Sequence, residues 1–249
     1  MDIRAERLIE TIVNDLQTIL GENLIGIYLH GSLAFGCFHW ETGDIDIVVV
    51  TENEPGLEQK KAVIEKMMLY KAPLKGIEMS IVTGKHCAEF IYPTPYCLHW
   101  SEFHRDRYTA DINGHIGTMN GTDKDLAAHF TVINHVGVTL CGKAKEDVFA
   151  PVPAECYFDS IKYDIENAVE DITENPVYMI LNLCRAAAFV QEGKILSKAD
   201  GAVWLADNMD EYRSLVADAA QCYRTGDSIN ATDTVLKNFA EAMLNRILK

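Results

Sequence analysis

The chain has 249 residues, 48% of them hydrophobic, with 22 basic against 37 acidic residues for a net charge of −15. That apolar content can fill one large core or two smaller ones, and it excludes an intrinsically disordered chain. A surface this acidic repels phosphate backbones, so no nucleic-acid partner is expected and a cationic small molecule suits it better.

The seven cysteines (37, 87, 97, 141, 156, 184 and 222) are odd in number and form no CxxC pair, which argues against a disulfide framework or a zinc cluster. Reduced, mostly buried thiols are expected instead. The opening MDIRAERLIE is charged and amphipathic and lacks the apolar core of a signal peptide. No apolar run is long enough to span a bilayer. The expectation is a cytoplasmic protein with no membrane partner.

Helix and strand signals alternate through the first half. Ile3, Leu8, Ile9, Ile12, Val13, Leu16, Ile19 and Leu20 recur at helical spacing, and Gly21 closes the run. LIGIYLH (24–30) reads as a buried strand ending at Gly31, and DIDIVVV (44–50) as a second, bounded by Gly43 and the polar TENEPG stretch. Residues 57–70 return to a helical pattern, and GIEMSIV (76–82) is a third strand carrying Glu78. Residues 90–120 hold Tyr92, Tyr96, Trp100, Phe103 and Tyr108, an aromatic loop or short hairpin that could line a site or simply pack. DKDLAAHFTVINHVGVTL (123–140) reads as one helix. After the APVP breaker at 150–153, helical segments follow near 157–173, 176–192, 197–209, 211–224 and 230–248, with no strand signal among them. The predicted organisation is an α/β domain over 1–150, a mixed sheet with flanking helices, joined to an all-α bundle over 151–249.

The chemistry is concentrated in IYLHGSLAFGCFHWETGDIDIVVV. Eleven residues separate Ser32 from Asp44. Residues two apart on a strand share a face, so Asp44 and Asp46 present paired carboxylates while Ile45 and Ile47 turn inward. Two close carboxylates repel unless a cation lies between them, and hard oxygen ligands favour Mg2+, which also takes triphosphate oxygens. Gly31 allows close backbone approach to a phosphate, and Ser32 adds a hydroxyl donor at the start of a helical turn. An acid inside an apolar strand is costly without a partner or a task. If strand 76–82 lies beside strand 44–50, Glu78 reaches the same site, as a third metal ligand or as a general base. His86, His99 and His104 could suggest a transition-metal site, but no ligand set closes around them in the sequence.

The Gly-Ser, Asp-x-Asp, strand-acid order, HGS…GDIDIVV followed by Glu78, resembles the nucleotidyltransferase superfamily. More narrowly, the chain is similar to the aminoglycoside nucleotidyltransferases that adenylylate streptomycin or spectinomycin. The stretch ILNLCRAAAFVQEGKILSKADGAVWL (180–205) carries that closer match, together with APVP after Leu140-Cys141-Gly142. The resemblance implies transfer of AMP from ATP to a hydroxyl of a small cationic acceptor, an aminoglycoside or aminocyclitol antibiotic, in a cleft between the two domains. It implies that Ser32 holds terminal phosphates, that Asp44 and Asp46 bind Mg2+, and that Glu78 is the general base. Arg185 and Lys198 would reach the triphosphate and Tyr223 would lie along the nucleotide. Phe103 stands where streptomycin-modifying members carry Trp, and Asp171 where they carry Asp, as acceptor-binding positions. Glu166, Glu170 and Glu174 could add negative charge beside Asp171. Gly43 stands where relatives often have Ser, and His30 where an apolar or aromatic residue is more common. The residues leave the acceptor, its hydroxyl and the oligomeric state open. Two other readings stay in play: a nucleotidyltransferase that modifies a protein or RNA, of the toxin–antitoxin type, and a non-enzymatic nucleotide-binding protein.

Overall fold

Alternating apolar residues in three β-branched segments build the first unit, and a helix that is apolar almost all round builds the second. The structure, a computed structural model, describes residues 2–248. Met1 and Lys249, the outer ends of the two expected domains, lie outside the described residues. The chain divides between Val152 and Pro153.

In the first unit Asp2 caps α1 (Ile3–Leu20), its carboxylate accepting from the Arg4 amide, and Gly21 ends the helix at φ 53°. There follow β1 (Leu24–Leu29), the short α2 (Gly31–Ala34), β2 (Ile45–Thr51), α3 (Leu57–Leu69), β3 (Ile77–Thr83) and α4 (Gly84–Ala88). The remaining elements of the unit are β4 (Thr94–Tyr96), β5 (Leu98–Trp100), α5 (Arg105–Ile116), β6 (Gly121–Asp123), α6 (Asp125–Val136) and β7 (Val138–Gly142).

The main sheet runs β5-β3-β2-β1-β7, with β2 and β3 parallel and the other neighbours antiparallel. Its two faces bury different sets. Ile27, Leu29, Ile45, Ile47, Ile77 and Met79 pack with the apolar faces of α1 and α3. Tyr28, Val48, Val50 and Val82 pack with Leu126, Phe130 and Ile133 of α6. This second layer positions the site, because its strands run from apolar residues into acids at one end.

The helix expected near 157–173 is broken between Tyr163 and Ala168, and two expectations in the first unit also need correction. The helix read through 123–140 stops at Val136, and Val138–Gly142 adds the β7 edge to β1. Gly137 is the reason: its amide already closes the helix on Val132 and Ile133, and a Cβ there would sit 2.6 Å from the Ile133 Cα. Beyond it Val-Thr-Leu-Cys has the branched character of a strand. The segment 90–120 is neither a loop nor a simple hairpin. β5 joins the main sheet, β4 pairs with β6 in a separate ribbon, and α5 lies between, interrupted at Asp111 (φ −156°, ψ 84°). Trp100 is fully buried and stacks on Tyr108 with ring centroids 5.2 Å apart.

The second unit contains α7 (Ala154–Tyr163), α8 (Ala168–Asp171), α9 (Pro176–Glu192), α10 (Lys198–Asn208), α11 (Arg213–Thr225) and α12 (Asp233–Ile247). Proline at its first turn starts α9 and Gly193 ends it in the left-handed region at φ 66°. Met179, Ile180, Leu181, Leu183, Cys184 and Ala186 are buried on several sides, as a central helix requires. The fold is thus an α/β unit with a mixed sheet followed by an all-helical unit. Among the described residues no helix is long and apolar enough to cross a membrane. All seven cysteines are free; Cys87, Cys97 and Cys184 are buried and the other four half-buried, fewer buried thiols than expected.

Candidate active site

The register of β2 and β3 decides which acids meet. These parallel neighbours align Asp46 with Glu78 directly across the ladder. Both side chains lie on the face that Val48, Val50 and Val82 fill further along, beyond the reach of that apolar layer. Ile45 and Ile47 are buried on the opposite face, as alternation predicts. Asp44 stands one residue before β2 and is half-buried. The entry to the two strands is tied together by the Ile45 amide donating to Gly76 O at 3.1 Å and the Lys75 amide donating to Gly43 O at 3.2 Å.

Gly31 brings the β1–α2 turn against this acid end. The His30 amide donates to the Asp46 carbonyl at 3.0 Å, and Gly31 then turns at φ 60°. A Cβ at Gly31 would lie 1.7 Å from Asp46 Oδ2, so both conformation and space demand glycine. The next residue, Ser32, has a buried Oγ with no hydrogen-bond partner among the described residues. A buried hydroxyl without a partner is costly, and a phosphate oxygen is a chemically apt acceptor for it.

Two histidines that sequence reasoning did not assign to the site lie behind these strand ends. His129, on α6, places Nε2 3.9 Å from Glu78 Oε1. Its ring lies against that of His30, centroids 4.5 Å apart and planes at 37°. His30 is 4% exposed. Burial, reinforced by His129, holds the His30 imidazole well below its ordinary range and hence neutral. Helical spacing from Leu126 and Ile133 was the available clue, since it puts residue 129 on the sheet-facing side.

The other histidines are dispersed. His86 Nδ1 lies 3.1 Å from Thr83 Oγ1 and His99 Nδ1 3.0 Å from Ser80 Oγ. Burial pushes His99 down to about 4, with Asp123 opposing the shift. His99 and His104 line a 130 Å³ pocket with Tyr96, Arg107 and Tyr108, so the aromatic segment does line something. Phe103 is not among its lining residues and stands 85% exposed. Among the described residues no three His, Cys, Asp or Glu side chains close into a metal cage. Carboxylate oxygens such as those of Asp44 and Asp46 are the donor type that magnesium takes together with substrate phosphates and water.

In the helical unit, Arg185 on α9 extends Nη2 to within 3.4 Å of Asp164 Oδ2. Gly201 of α10 packs against it so closely that a Cβ would lie 3.0 Å from the Arg185 amide nitrogen. Ser197 caps α10, accepting from the Asp200 amide at 3.0 Å and donating to Asp200 Oδ2 at 2.7 Å. The first helical residue, Lys198, holds Nζ 4.7 Å above the centre of the Tyr178 ring. Tyr223 is half-buried on α11. Asp171, Glu166, Glu170 and Glu174 are exposed around α8.

Two family models match separate stretches of the chain. Residues 9–91 match the model for a nucleotidyltransferase domain, and 147–246 the model for an aminoglycoside adenylyltransferase C-terminal domain. An aminoglycoside (3'')(9) adenylyltransferase of Escherichia coli is 24% identical over 96% of this chain and 93% of its own. A spectinomycin 9-adenylyltransferase of Staphylococcus aureus is 24% identical over 94% and 93%. Among solved structures, the spectinomycin adenyltransferase AAD(9) from Enterococcus faecialis, crystallised with ATP and spectinomycin, superposes with a TM-score of 0.80. It covers 98% of this chain and 99% of that one at 21% identity, a likeness of fold.

Proposed function

We propose, for a chain that belongs to the aminoglycoside nucleotidyltransferases, that it transfers AMP from ATP to a hydroxyl of a small cationic acceptor of the aminoglycoside or aminocyclitol class. The observation that carries this reading is the pairing of Asp46 with Glu78 across parallel strands beside a turn that only glycine can make.

Each residue then has a task. Asp44 and Asp46 would hold Mg2+. The ion, when bound with the triphosphate, supplies positive charge against the phosphate oxygens. Ser32 donates its unpaired hydroxyl to a phosphate oxygen, and Gly31 leaves the space that lets Asp46 approach. Glu78 accepts the proton of the acceptor hydroxyl as that oxygen attacks the α-phosphorus and pyrophosphate departs. The side chain of Glu78 is 38% exposed, so an incoming hydroxyl can reach it. Arg185 and Lys198 are assigned to the triphosphate, Tyr223 to the nucleotide, and Asp171 with Phe103 to the acceptor; the family resemblance supports these roles.

The test is pyrophosphate release with Mg-ATP in the presence of streptomycin, spectinomycin or kanamycin. At least one should stimulate release well above the acceptor-free rate, and Glu78→Gln should lower that stimulated rate by about 10²–10⁴-fold. Stimulated release unchanged in Glu78→Gln would remove Glu78 as the base.

A further inference from the structure

Helix α6 covers the sheet with an apolar stripe, and one imidazole stands within that stripe. Leu126, Phe130 and Ile133 are fully buried in the layer with Val48, Val50 and Val82. His129 shares that helix face, but it lies where the layer gives way to Glu78. Its side chain is 19% exposed, half the exposure of the Glu78 side chain. On its other side it meets His30, which the strand β1 delivers into full burial. An apolar residue would satisfy both packing demands, on the helix and on the strand. Imidazoles stand there instead, in a row that ends on the acid.

We infer that His129 is a positioning residue for Glu78, its Nε2 facing Oε1 so as to fix the direction in which the carboxylate meets the acceptor hydroxyl. The inference rests on the reading of Glu78 as general base. His30 serves it from behind. Being buried and tilted against the His129 ring, it prevents that ring from turning away from the acid. A base must lie within hydrogen-bond reach of its proton and along the right line, and displacement by about 1 Å can cost on the order of 10²-fold in rate. His129 touches neither nucleotide nor acceptor in this account. Its effect therefore belongs in kcat and not in the nucleotide KM.

The experiment compares His129→Leu, which keeps bulk and removes the ring nitrogen facing Glu78, with His129→Gln, which keeps a polar N–H group at similar reach. Both are measured in the wild-type and Glu78→Gln backgrounds on an acceptor that supports turnover, with thermal unfolding as the check on folding. The expected result is a kcat about 10- to 100-fold lower for His129→Leu, an unchanged KM for ATP, and substantial recovery in His129→Gln. In the Glu78→Gln background His129→Leu should cost nothing further, because the group it orients is already gone. Equal losses for Leu and Gln, or a full additional loss on top of Glu78→Gln, would overturn the positioning role and leave His129 as packing. If Glu78→Gln itself turns over normally, the reading beneath has failed, and the two failures are told apart. Should His129→Leu not fold, the Gln variant still decides the matter through the double-mutant comparison.

Discussion

Gly31 carries two constraints at once, a left-handed backbone and the absence of a Cβ under Asp46. Gly36 supplies the control, since it turns at φ 76° with no atom within 4 Å of where its Cβ would be. Both Ala substitutions should cost about 1–2 kcal/mol of stability from left-handed strain. Only Gly31→Ala should also displace the Asp46 carboxylate. Its affinity for Mg-ATP is therefore expected to fall at least about tenfold by calorimetry, while Gly36→Ala binds as wild type. Equal binding by the two would separate the turn from the site. At this scale Asp46 and Glu78 were legible in the sequence, because strand alternation and chain order bring them to one face. His129 was not, because a histidine among alanines and a phenylalanine on a helix announces nothing until the helix is docked. The unpaired Ser32 hydroxyl was equally invisible, being a property of its surroundings.

Elements show a different division between what the sequence tells and what packing decides. Long apolar periodicities gave α1, β1, β2, β3 and α9 directly. β7 was hidden in a helical reading, because five residues of edge strand have too short a pattern to compete with the helix before them. α5 was hidden because its Arg-Asp-Arg start and internal Gly114 offer little apolar face, and its place comes from Tyr108, whose hydroxyl donates to His99 O at 2.7 Å. The start of α10 separates a structural from a functional residue one position apart. Ser197→Ala removes an N-cap and is expected to lower stability by about 1 kcal/mol with ATP affinity unchanged. Lys198→Ala loses a half-buried cation over Tyr178, worth about 0.5–1 kcal/mol, yet should weaken ATP binding measurably. Thermal unfolding and calorimetry on both variants check this. A folded Lys198→Ala with wild-type affinity would remove Lys198 from the nucleotide site.

For the whole molecule, the two units follow different rules. A sheet packed on both faces builds the first around a site at its strand ends, and a buried central helix builds the second. A net charge of −15 attracts a cationic acceptor and leaves an anionic nucleotide to be drawn in by local groups. Raising salt from about 0.05 to about 0.5 M shortens the screening length from about 14 Å to about 4 Å. The acceptor KM should therefore rise several-fold across that range with kcat nearly constant, which steady-state assays at fixed Mg-ATP would read. An acceptor KM indifferent to salt would mean that the surface charge serves solubility alone.

Whether the Asp46–Glu78 pair transfers an adenylyl group is decided by weighing the acceptor. After incubation with Mg-ATP and the wild-type protein, an aminoglycoside or aminocyclitol that stimulates pyrophosphate release should gain the mass of one adenylyl group. With Asp46→Asn under the same conditions the gain should be absent or reduced by orders of magnitude. Release of pyrophosphate or phosphate with no gain in acceptor mass, or a gain undiminished in Asp46→Asn, would contradict the account.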